Sequence, residues 1–107
     1  MLLKEYKTNT FNSSDQDDLV ILDFYADWCG PCRRMDQTFK QLQEQNADLT
    51  IFKVNADNSA DLCNKYSVRS LPTMLFFTPD SEDPKIRKVG FQTADQVIAA
   101  ASEARGK

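Results

Sequence analysis

Apolar residues in this chain come in short, separated blocks. The densest is residues 19–26, Leu-Val-Ile-Leu-Asp-Phe-Tyr-Ala, which carries a single carboxylate, Asp23. A run of that length reads as a buried strand. Behind it the pattern changes period. Met35, Phe39 and Leu42 recur at helical spacing among charged and polar neighbours, which predicts an amphipathic helix from about residue 31 to 45. Residues 49–54 read as a second buried strand. Asp57, Asn58 and Ser59 offer N-caps for a short helix containing Leu62, Cys63 and Tyr66. Residues 73–77, Thr-Met-Leu-Phe-Phe, form a third core strand with Pro72 at its entry, where a strand tolerates proline. After a turn over 78–84, residues 86–91 read as a last strand. Thr93 to Gln96 has the capping-box form that opens a helix with Val97, Ile98 and Ala101. The start is weaker: a short edge strand over 3–6, then a polar loop or single helical turn over 9–18, anchored by Phe11.

Strands alternating with helices argue for an α/β chain with parallel pairing in the middle of its sheet. The short link between the last two strands predicts an antiparallel hairpin. At 107 residues, one domain spanning the whole chain is expected. The net charge is only −3, with both signs interspersed, so nucleic acid is not an expected partner. No apolar run has the length of a membrane span, and residues 1–7 lack the apolar core of a signal peptide. A cytoplasmic location is expected on that basis.

The chemistry concentrates at Trp28-Cys29-Gly30-Pro31-Cys32, where the buried strand hands over to the amphipathic helix. Thiols at i and i+3 share a helix face, roughly 5 to 6 Å apart at Cα, within disulfide range. Pro31 suits the first helical turn, because its missing N–H would have had no partner there. Cys29 then sits at the helix N-terminus, whose free N–H groups and positive dipole end stabilise a thiolate. Cys32, one turn in, is expected to be more shielded. The pattern predicts an exposed nucleophile, Cys29, and a buried resolving thiol, Cys32. Zinc needs four ligands, and the chain has no histidine and only one other cysteine, Cys63, so no metal is expected. Cys63 itself reads as a small buried hydrophobe. Strand alternation places Asp23 on one face with Leu19, Ile21 and Tyr25. Desolvation there would raise its pKa and suit it to exchange a proton with Cys32 near neutral pH.

These residues resemble the thioredoxin family. Trp28-Cys29-Gly30-Pro31-Cys32 looks like its active site and Asp23 to Asp27 like the strand leading into it. Lys53 to Asp57 is similar to the following strand and its acidic residue, Tyr66 to Thr73 to the cis-proline segment, and Val89-Gly90-Phe91 to the last turn. The likeness runs over about residues 19–104. It implies a thioredoxin fold, a central mixed β-sheet flanked by helices. It implies protein-disulfide reduction through Cys29 and Cys32 as the only redox group, with no further cofactor. It implies that Lys53 lies beside Asp23 and tunes it, and that Pro72 is cis. It implies that Trp28, Gly30, Pro31, Leu71, Pro72, Val89, Gly90 and Phe91 form the client-docking surface around Cys29. The implied partners are an NADPH-linked flavoprotein, thioredoxin reductase, and disulfide-containing client proteins, with the chain acting as a monomer. Oxidase, isomerase or electron-relay chemistry, and a scaffold role for the same fold, are the alternatives. The sequence departs from the family in three places. Gln37 stands where typical members carry a helix-kinking proline, the segment before Asp23 leaves room for only a reduced first helix, and the 79–84 loop is acidic and lacks glycine.

Overall fold

The computed structural model describes residues 1–106. Five strands and three helices follow in the order β1 (Leu2–Glu5), β2 (Val20–Tyr25), α1 (Gly30–Glu44), β3 (Thr50–Asn55), α2 (Ala60–Lys65), β4 (Thr73–Phe77), β5 (Ile86–Val89) and α3 (Ala94–Ala104). A 3₁₀ turn at Ser13–Asp15 is all that stands where a first helix would be. The strands form one mixed sheet in the order β1-β3-β2-β4-β5.

Parallel pairing is confined to β1, β3 and β2, whereas β2–β4 and β4–β5 are antiparallel. The expected parallel centre is therefore corrected at β2–β4. The reason is the place to which the chain returns. Tyr25 pairs with Asn55, and Phe24 pairs with Thr73, so the chain leaves β3 and enters β4 at the same end of the sheet. Residues 56–72, with Leu62 of α2 packed on the Phe11 side of the sheet, return the chain to the end it left, so β4 runs opposite to β2 and β3.

Each sheet face has its own core. Leu19, Ile21, Ile51, Met74 and Phe76 pack with Met35, Phe39 and Leu42 of α1 and Val97, Ala100 and Ala101 of α3. On the other face Val20, Leu22, Phe24, Phe52, Val54, Leu75 and Phe77 pack with Phe11, Leu62 and Tyr66. The unbroken apolar run in β2 is thus explained by burial from both sides. α1 runs without interruption past Gln37, as expected without a proline there. Thr93 caps α3: its hydroxyl accepts from the Gln96 N–H at 3.2 Å while its own N–H donates to the Gln96 side chain at 2.8 Å. Ser59 takes the cap position of α2, but its side chain makes no capping bond.

The last strand stops at Val89, not at residue 91. Gly90 adopts φ of +91°, open to glycine without strain, and its N–H turns back to the Pro72 carbonyl at 2.8 Å. That bond lays Val89-Gly90-Phe91 beside Pro72 as a loop.

Candidate active site

The site lies at the end of the sheet where β2 and β3 finish and β4 begins. Cys29 is the N-cap of α1 and Pro31 is in its first turn. The Cys29 and Cys32 sulfurs are bonded, with Cα atoms 5.2 Å apart. The Cys32 N–H donates to the Cys29 Sγ at 3.2 Å, filling one of the unsatisfied donors of the helix start. A sulfur in this place faces the positive end of α1, which favours its thiolate once the bond is opened.

The expected contrast in exposure is not seen in the disulfide form. Cys29 is 5% exposed and Cys32 7%. The bond holds the sulfurs against each other, and the pair packs with Ala26, Tyr25 and Leu71. What separates the two thiols is their surroundings. Cys29 adjoins the exposed residues of the helix start, while Cys32 borders a cleft of about 160 Å³ shared with Tyr25, Arg33, Asp36 and Lys53.

Asp23 is buried on the α1 face of β2, beside Lys53 in the strand register. Its Oδ1 has no hydrogen-bond partner among the described residues. Burial pushes its pKa up to about 7; Lys53 pulls it down, and the carboxylates of Asp36 and Glu5 push it further up. The Lys53 ammonium lies 3.8 Å from Asp36, 4.6 Å from the Tyr25 ring centre and 5.9 Å from the Phe39 ring centre. The Tyr25 hydroxyl in turn donates to both Glu5 carboxylate oxygens at 2.7 Å. Burial, followed by that hydrogen bond, raises the Tyr25 pKa.

Around Cys29 an apolar surface faces outward. Trp28 is 69% exposed, with its Nε1 donating to Asp57 at 3.1 Å, and Val89 is 56% exposed. Phe91 is exposed beneath the Arg34 guanidinium, 5.6 Å from its ring centre. Gly30 and Pro31 are exposed beside them, Leu71 is half-buried against the cysteines, and the buried Pro72 follows a cis peptide bond. The Thr38 hydroxyl donates to the Gln92 carbonyl at 2.7 Å and ties this loop to α1. All twelve residues singled out in the sequence lie at this one end of the fold. Asp36, Asp57 and Glu5 belong beside them, although none was singled out as a site residue. For Asp36 a signal existed: it follows Cys32 by four residues and so shares its helix face. Cys63 lies apart, half-buried against the α2-side core, and burial raises its pKa.

The family model described as Thioredoxin matches residues 3–103. Thioredoxin-2, mitochondrial, of Schizosaccharomyces pombe is 37% identical over 95 residues, covering 89% of this chain and 70% of that protein. The chain belongs to the thioredoxin family. A mutant thioredoxin from Halobacterium salinarum NRC-1 superimposes with a TM-score of 0.73 at 34% identity, over 86% of this chain and 78% of that one. A peptide-N(4)-(N-acetyl-beta-glucosaminyl)asparagine amidase of Caenorhabditis briggsae is 39% identical over 74 residues, 69% of this chain. This chain spans only 12% of that relative's length. The fold is the thioredoxin fold, and the matched region, with its bonded cysteine pair, is a thiol–disulfide oxidoreductase domain of the disulfide-reductase kind. No helix among the described residues is long and apolar enough to cross a membrane.

Proposed function

We propose that the protein is a thioredoxin-type electron carrier that reduces disulfides in client proteins. The Cys29 thiolate attacks a client disulfide, forms a mixed disulfide and releases one client sulfur as a thiolate. Asp23 takes the proton from the Cys32 thiol, with Lys53 beside it. The Cys32 thiolate then attacks the Cys29 sulfur. The bond from Cys29 to the client breaks, the Cys29–Cys32 bond forms, and the second client sulfur leaves as a thiolate that takes up a proton. Two electrons pass to the client, and the cysteine pair is left oxidised. The observation that carries this reading is the Cys29–Cys32 bond across the first turn of α1, next to exposed Trp28 and Val89. Trp28, Gly30, Pro31, Leu71, Pro72, Val89, Gly90 and Phe91 hold an extended client segment across Cys29. An NADPH-linked flavoprotein reductase restores the dithiol, no separate cofactor takes part, and the chain works as a one-domain cytoplasmic monomer.

The test is reduction of insulin disulfides by NADPH in the presence of a thioredoxin reductase. Turnover that requires both proteins supports the reading. Cys29→Ser should abolish turnover, and Cys32→Ser should accumulate mixed disulfides that Cys29→Ser does not form. Equal trapping by both variants would reverse or remove the assigned roles. A second reading follows from the amidase relative, of which the matched region is a small part: the same exchange chemistry could serve as one module of a longer protein. Co-purification of the redox activity with a larger polypeptide carrying this sequence would favour it.

A further inference from the structure

Lys53 stands between two carboxylates. Its strand partner is the buried Asp23, yet its ammonium leans outward to Asp36, 3.8 Å away on α1. Asp36 is one helical turn beyond Cys32, on the same face of α1, and both border the cleft that Lys53 closes. The rings of Tyr25 and Phe39 flank the ammonium, so its path between the carboxylates is confined. Resting on the reading that Asp23 serves Cys32, we infer that Asp36 is a positioning residue. It draws the Lys53 charge toward the cleft mouth and thereby sets the pH at which Asp23 accepts the Cys32 proton.

The physical argument is electrostatic. A cation shared with a second carboxylate stabilises the first one less, and the added negative charge of Asp36 itself favours the protonated form of Asp23. The other charged or titratable groups around Asp23 are few. Glu5 on β1 acts in the same sense as Asp36 and more weakly. Tyr25 at the end of β2, Asp27 in the turn and Arg33 on α1 border the cleft. Met74, the β4 neighbour of Asp23, carries no charge. Asp36 is thus the carboxylate from α1 that meets Lys53, while its own side chain is 68% exposed. A screened charge at this range moves a neighbouring titration by about half a pH unit.

The experiment compares wild type with Asp36→Asn, Asp36→Glu and Asp23→Asn. Carboxyl carbon-13 resonances of the oxidised proteins are followed from pH 4 to 9. Reduced proteins are then mixed with excess oxidised insulin, and single-turnover oxidation is followed by the fluorescence of Trp28, the sole tryptophan. In Asp36→Asn the Asp23 midpoint and the acidic limb of the resolving phase should both move to lower pH by about half a unit. Resolution at pH 6 should then be up to about threefold faster, the rate gain of that shift below the midpoint. Asp36→Glu, which keeps the charge, should restore the wild-type limb. If Asp23→Asn removes the limb while Asp36→Asn leaves it in place, the role of Asp36 is overturned and that of Asp23 stands. If the limb survives in Asp23→Asn, the reading of Asp23 itself falls. A loss of packing alone would lower the rate at every pH without moving the limb.

Discussion

Asp23→Asn replaces a buried carboxyl with an amide of nearly the same shape. The unfolded carboxyl has a pKa of about 3.9, and in the fold burial raises it to about 7. The folded state therefore holds the proton more tightly. Stability from this group is complete below the unfolded pKa, falls as pH rises, and is lost once pH passes the folded value. The two values lie roughly three pH units apart, at about 1.4 kcal/mol per unit, so the ionised group costs the fold about 4 kcal/mol at pH 8. That is a large fraction of the 5 to 15 kcal/mol typical of a domain. Burial of the carboxyl is the largest cause of the shift, and among the described residues its Oδ1 finds no donor to replace its lost hydration. The assay is urea unfolding of both proteins with the Cys29–Cys32 bond intact, from pH 4 to 8. Subtracting wild type from variant cancels the other carboxylates. The difference should climb by about 4 kcal/mol across this range and level off above pH 7. A flat difference would refute the reasoning. A difference that falls with pH would mean that pairing with Lys53 outweighs burial.

Two further outcomes are expected. Val89→Ser should raise KM for insulin by about threefold to tenfold, as expected from losing part of a buried valine's transfer energy, and should slow reduction of a small aromatic disulfide by a smaller factor. Steady-state kinetics on both substrates check this, and equal losses on both would remove Val89 from the docking surface. Thr93→Ala breaks the reciprocal cap of α3 and should cost about 1 kcal/mol, lowering Tm by about 4 to 8 °C. Thermal unfolding followed by circular dichroism measures it, and an unchanged Tm would show that the cap adds nothing beyond the packing of Val97 and Ala101.

The sequence by itself determined the elements and the reactive pair. Burial on both faces wrote β2, β3 and β4 as near-continuous apolar runs, and amphipathic period wrote α1. The spacing of Cys29 and Cys32 across a helix start fixed their reach, because local geometry there leaves the chain little choice. Asp23 was legible for the same reason: a carboxylate inside an apolar strand has nowhere else to point. What the tertiary structure decided was everything that depends on which strands become neighbours. The antiparallel β2–β4 pairing follows from where α2 returns the chain, and periodicity does not encode that. The end of β5 at Val89 depends on the Gly90 N–H finding the Pro72 carbonyl, eighteen positions earlier in the sequence. The meeting of Lys53 with Asp36, and of Glu5 with Tyr25, requires β1, β2, β3 and α1 to assemble first. Electrostatic partners of this kind are set by distance in space, and a pattern of hydrophobic and polar positions carries only distance along the chain.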